Sequence, residues 1–154
     1  MISSAMILPA LGLTMVLTAC GGTGSMMETV DRQGFGQSMD DLRAEEAVHH
    51  ANVTSAGSLA DVQAEIARHR EAIAVMEMDV RVRIGHMTAG CGPTGREGML
   101  GVMGGLDALE AAHGAAMAGS GSLDVARAEC DRHAAASGPM LDRLEADWDD
   151  MDCM

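Results

Sequence analysis

Between residues 59 and 80 the apolar positions Leu59, Val62, Ile66, Ile73, Met76 and Val80 recur at alternating steps of three and four, once His69 is counted with them. That spacing gathers them on one stripe of an α-helix, the seam of a packed bundle. His69 sits at the centre of the stripe, where an apolar residue would be expected. A later segment repeats the pattern as Leu123, Ala126, Cys130, His133, Ser137, Met140 and Leu144. Another runs Met99, Val102, Leu106, Leu109, His113 and Ala116, and the earliest runs Met39, Leu42, His49 and Val53, its seam weakened by the acid Glu45. Four helices are predicted, near 38–54, 58–88, 96–118 and 122–151, each aiming one histidine inward.

The four segments are two copies of one unit. With an ungapped offset of 64, residues 42–76 match 106–140 at fifteen positions, among them Leu42, Glu46, His49, Gly57, Ser58, Leu59, Glu65, Arg68, His69 and Met76. An internal duplication is the natural reading. Each copy reads helix, then AGSL or SGSL, then a longer helix. The glycine is placed to end one helix in a left-handed conformation, and Ser58 or Ser122 to cap the next. Short connections imply sequential antiparallel neighbours, so the fold class is all-α, an up-down-up-down four-helix bundle of two duplicated hairpins. The bundle is expected over 39–154, with one repeat near 39–88, a connection at 89–95 and the second repeat near 96–152.

Composition narrows what such a bundle can do. All ten basic residues are arginine, and against 23 acids they leave a formal charge of −13. That balance argues against nucleic acid as a partner and favours cation binding. Phe35 and Trp148 are the only aromatic residues besides histidine, so the core must be built from Ala, Leu, Val, Ile and fifteen methionines. A core of that kind over about 110 residues invites an extra tie such as a metal or a disulfide.

The chain opens on a different object. An apolar run from Ala5 to Ala19, without Lys or Arg before it, ends in Leu17-Thr18-Ala19-Cys20 followed by Gly21-Gly22. The run is too short for a transmembrane span and resembles a bacterial lipoprotein signal peptide with its lipobox. In that family the peptidase cuts before the cysteine, whose sulfur receives diacylglycerol and whose amino group is acylated. The resemblance implies a signal peptide over 1–19, lipid attachment (palmitate among the acyl chains) at Cys20 and a membrane-anchored, extracytoplasmic protein. Gly21 after the cysteine fits sorting to the outer membrane, facing the periplasm, where that rule applies. Residues 20–38, rich in glycine and serine, read as a lipid-attached flexible tether.

The chemistry concentrates on the histidines. Glu46 and Glu110 stand three residues before His49 and His113, and Glu65 and Glu129 stand four before His69 and His133. Both spacings put the pair on one helix face. A hairpin turning near Gly57 brings these eight groups within about two turns of one another. A buried imidazole must satisfy two nitrogens, and a carboxylate beside it is costly unless paired or coordinated. A transition metal such as Zn, Fe or Cu meets both demands. The two Glu-x-x-His pairs resemble half of the ferritin-like dinuclear motif, which implies an oxidase or peroxidase as one alternative. The match covers few residues, because that family has a lone Glu on its other two helices, where this chain adds His69 and His133. Haem between two histidines on diagonal helices is a second alternative, and a metal-free Glu/His network in a structural or interaction lipoprotein is a third.

Other residues say less. Cys91 and Cys153 fall at the same end of the bundle and are a candidate disulfide in an exported protein. Cys130 replaces Ile66 on the seam, either as a small buried residue or as an extra soft ligand. The seam methionines read as space fillers rather than copper ligands. His50 and His86 lack repeat counterparts and default to rim or solvent positions, and the acidic end DWDDMDCM reads as a frayed, solvated terminus. No Gly-x-Ser-x-Gly, no phosphate loop and no two-histidine zinc-protease helix is present, so binding or sequestration ranks ahead of catalysis.

Overall fold

The computed structural model describes residues 23–86 and 92–150. They form four helices, α1 (Thr23–Ser55), α2 (Leu59–Gly85), α3 (Gly92–Ala118) and α4 (Leu123–Asp149), with no strand among the described residues. Helix α1 packs on α2 and α4, α3 packs on the same two, and α2 also touches α4 across the diagonal. The ring order α1-α2-α3-α4 is that of an up-down-up-down bundle, and it relates the two hairpins by an approximate twofold along the bundle axis. No helix among the described residues is long and apolar enough to cross a membrane.

Local chemistry sets the hairpin end. Ser58 and Ser122 have extended backbones and cap α2 and α4 by accepting from the N–H groups of Asp61 and Val125 at 3.2 and 3.3 Å. The preceding helices do not end on left-handed glycines. Neither Gly57 nor Gly121 takes a positive φ in that region. Instead the last turns tighten through equivalent i to i−3 bonds, Ala56 N–H to the Val53 carbonyl at 3.3 Å and Ser120 N–H to the Met117 carbonyl at 3.1 Å. The repeat-equivalent residues Gln63 and Arg127 then reach across to the opposite hairpin. Gln63 donates to the Met117 carbonyl, and Arg127 donates to those of Thr54 and Ala56. Each hairpin thereby satisfies the orphan carbonyls that end the other's first helix.

Three sequence expectations shift. On α2 the buried positions are Val62, Ile66, His69, Ile73, Glu77, Val80 and Ile84, and on α4 they are Ala126, Cys130, His133, Ser137, Leu141, Leu144 and Trp148. The step sequence, four-three-four-four-three-four, is identical in both and repeats every eleven residues. Nearly straight helices keep this phase, whereas a strict heptad reading drifts and lands on Met76 and Met140, which are only half-buried. The same drift replaces Ala116 with Met117 on α3.

Helix α1 begins inside the stretch read as a tether, and Phe35 and Ser38 are buried. The reason is Trp148, 3% exposed, which stacks on Phe35 with ring centroids 3.9 Å apart. The acidic end is therefore anchored through Trp148 rather than frayed there, and such a pair adds about 0.5–1.5 kcal/mol beyond its buried area. The apolar core splits into two clusters, one around Phe35, Met39, Met99 and Leu144 and the other around Val53, Val62, Met117 and Cys130. The histidines lie between them.

Candidate metal centre

His49, His69, His113 and His133, one from each helix, are 1–2% exposed. They form two layers. In one, His69 Nε2 lies 3.5 Å from Glu110 Oε2, and His133 Nε2 lies 3.2 Å from Glu46 Oε2 and 2.9 Å from Glu110 Oε1. One ligand atom from each of Glu46, His69, Glu110 and His133 falls within 4.8 Å of the others. The first two of those contacts are repeat-equivalent, so the quartet straddles the approximate twofold with two imidazole nitrogens and two carboxylates.

The other layer holds His49 and His113, whose Nε2 atoms face each other at 3.1 Å. Their Nδ1 atoms point outward to Glu65 Oε1 at 3.2 Å and Glu129 Oε1 at 3.5 Å. Stacked rings join the layers, His49 on His69 at 3.9 Å and His113 on His133 at 4.2 Å between centroids. The eight residues read from the sequence are thus all brought together, but not as helix-local pairs. The Glu-x-x-His partners separate: Glu46 and Glu110 join His69 and His133, while His49 and His113 meet each other. This is a further departure from the ferritin-like resemblance.

Two further participants were not assigned a role from the sequence. Glu45, 8% exposed, places Oε1 at 2.9 Å from His69 Nδ1. Arg68 grips both oxygens of Glu45, at 2.9 and 2.8 Å, and both of Glu65, at 2.9 and 2.6 Å. A carboxylate on the far nitrogen of a histidine fixes its tautomer and strengthens the near nitrogen as a ligand. The seam interruption at Glu45 was its signal. Arg132 pairs with Glu129 in the second repeat, but Leu109 stands where Glu45 does, and His133 Nδ1 has no hydrogen-bond partner. Cys130 lies in the apolar cluster outside the quartet, its thiol pushed up to about 12 by burial and by neighbouring acids, as a small buried residue. Cys20, Cys91 and Cys153 lie outside the described residues. His50 is at the rim, its Nε2 2.7 Å from Asp131.

The electrostatics are those of a cation seat. Five carboxylates (Glu45, Glu46, Glu65, Glu110 and Glu129) face two guanidinium groups, leaving three negative charges if the rings are neutral. Burial disfavours charge on His133, but hydrogen bonds to Glu110 and Glu46 outweigh it and push the imidazole up to about 9. His69 moves the same way, the nearby Glu110 carboxylate and the hydrogen bond to Glu45 outweighing burial. Burial opposes ionisation of Glu110 too, yet His133 at 2.9 Å and His69 at 3.5 Å hold the carboxyl well below the usual range. In the other layer burial and the neighbouring imidazoles prevail: His49 falls to about 4, and His113 is lowered. Glu65, despite burial, is held down at about 2 by Arg68, Asn52 and His49. Without a metal, protons on His69 and His133 partly balance the carboxylates. A divalent ion in their place would balance them at closer range.

The donor set meets the requirements of such an ion. His69 Nε2 is buried and makes no hydrogen bond, although a carboxylate oxygen lies 3.5 Å away. Two imidazoles and two carboxylates suit Zn(II), Fe(II), Mn(II) or Cu(II). Two turns along α2, Glu77 is also buried, its carboxyl pushed up to about 7 by burial and by Asp107 and Glu110. Neither a protein-family model nor a curated protein nor a solved structure matches this chain, so the site is read from its own geometry.

Proposed function

We propose that this protein binds a divalent transition-metal ion at Glu46, His69, Glu110 and His133, and that it sequesters or handles that ion at a membrane surface outside the cytoplasm. The observation behind this reading is the convergence of four ligand atoms, one from each helix, within 4.8 Å in the bundle interior. Holding anionic carboxylates there is costly without a compensating cation. The anchor is inferred from Leu17-Thr18-Ala19-Cys20 alone. A lipid on Cys20 would tether the bundle while its acidic surface draws cations toward it. Binding ranks ahead of redox catalysis because the described residues supply ligands from all four helices to one point in the bundle interior.

The test is metal analysis of the full chain purified without a polyhistidine tag. At least one transition ion per chain is expected, and Glu110→Gln combined with His133→Leu should bind one fewer than the wild type. A metal-free protein whose melting temperature is unmoved by Zn, Fe, Mn or Cu would overturn the proposal. The anchor is tested separately by palmitate labelling, expected in the wild type and absent in Cys20→Ala.

A further inference from the structure

We infer that His49 and His113 form a second cation seat on the bundle axis, one ring thickness from the quartet, suited to a borderline divalent ion such as Zn(II) or Cu(II). The inference rests on the reading of the quartet as a metal site and assigns its companion layer a role of its own.

The reasoning starts from the outer nitrogens. His49 Nδ1 faces Glu65 at 3.2 Å, and His113 Nδ1 faces Glu129 at 3.5 Å. An ionised carboxylate only accepts, so the Glu65 bond fixes hydrogen on His49 Nδ1, while His113 Nδ1 makes no hydrogen bond and is drawn to the same tautomer by the charge of Glu129 alone. Each neutral ring then presents a bare lone pair at Nε2, and these two lone pairs meet at 3.1 Å. Two acceptors at that separation in a buried interior repel unless an electrophile lies between or beside them. The candidates are a shared proton and a metal ion.

The separation is also that of an ordinary N–H···N hydrogen bond, and it accommodates the ion equally well. With imidazole ligands at about 2.05 Å, a 3.1 Å separation corresponds to an N–metal–N angle of about 98°, compatible with tetrahedral or tetragonal coordination and not with a linear pair. The carboxylate–histidine half of a carboxylate–histidine–metal arrangement stands on both sides, with Glu65 held by Arg68 and Asn52, and Glu129 by Arg132. Positions on the ion beyond the two histidines would be filled by water or small anions. The ring stacks, 3.9 and 4.2 Å between centroids, set the two layers about one ring spacing apart, close to the roughly 3.5–4 Å between the ions of two-metal sites.

The two seats differ in chemistry. The quartet offers two nitrogens and two oxygens, which accept Mn(II) as well as Zn(II). The axial pair offers nitrogen alone, which suits Zn(II) and Cu(II) better than Mn(II).

Equilibrium dialysis of the untagged full chain against buffered Zn(II) and, separately, Mn(II) tests this. Two zinc ions and one manganese ion per chain are expected. In His49→Leu combined with His113→Leu, one zinc and one manganese should remain. One zinc in both wild type and variant overturns the axial seat and leaves the quartet standing. Zinc lost in the His49/His113 variant but kept in Glu110→Gln with His133→Leu overturns the quartet and supports the axial seat. If neither ion binds the wild type, both fall. Circular dichroism checks that the variants fold. Should they not, the wild-type ratio decides: two zinc to one manganese supports the seat, and one to one overturns it.

Discussion

Glu45 Oε1 lies 2.9 Å from His69 Nδ1, whereas the repeat-equivalent pair, Leu109 and His133, leaves the imidazole Nδ1 without a partner. The duplication has therefore produced a quartet with one histidine buttressed at Nδ1 and one held only through Nε2 and its ring stack. Glu45→Leu would make the first repeat like the second at this position, so the bundle should fold with unchanged helical content. Zinc affinity should nonetheless fall about 10–100-fold, the usual effect of losing such an outer partner. Competition against a chromophoric chelator measures it.

Metal binding should be proton-linked. His133, pushed up to about 9, and His69, also raised, must shed protons before their Nε2 atoms can coordinate. Apparent zinc affinity should rise about tenfold or more per pH unit from near pH 6.5 and level off toward pH 9. Titrations in buffers of different ionisation enthalpy should show at least one proton released per quartet ion, and a pH-independent affinity would contradict the assignment.

In a Glu77→Gln background, where that carboxyl drops out, the metal-free protein should be most stable near pH 6.5. His49, depressed to about 4, resists a proton that the unfolded chain accepts, so its contribution is present above pH 6.5 and lost as pH falls through about 4. At roughly 1.4 kcal/mol per pKa unit this amounts to about 3 kcal/mol. His133 acts oppositely. Its contribution is present below pH 6.5 and lost as pH rises through about 9. Thermal melts across this range should trace a dome, and zinc should lift its alkaline side.

Glu77→Gln should stabilise the bundle at alkaline pH. The Glu77 carboxyl, raised to about 7, is neutral in the folded state at pH 5 and forced to ionise in an apolar setting at pH 8. The wild type therefore loses stability as pH rises from 4.5 through 7, by about 2–3 kcal/mol, and the amide does not. The melting temperature of the variant should exceed that of the wild type by several degrees at pH 8 and nearly coincide with it at pH 4.

Much of this was legible in the residues. The four helices, their order and the inward aim of His49, His69, His113 and His133 follow from seam spacing and the 64-residue echo. What spacing could not deliver was partnership across helices. Glu46 looks like the companion of His49, one turn away, yet it faces His133 on another helix, because antiparallel packing sets neighbours by level rather than by sequence distance. The eleven-residue phase that leaves Met76 half-buried and buries Glu77 depends on how straight the helices run. Trp148 was read as part of a charged end because its partner Phe35 lay in a segment rich in glycine.

X-ray absorption at the zinc edge of the zinc-loaded protein tests the central claim most directly. The account predicts a nearest shell of nitrogen and oxygen alone at about 2.0–2.1 Å, with the outer scattering of two imidazoles per zinc. A sulfur shell near 2.3 Å, or a shell of water oxygens without imidazole, would contradict it.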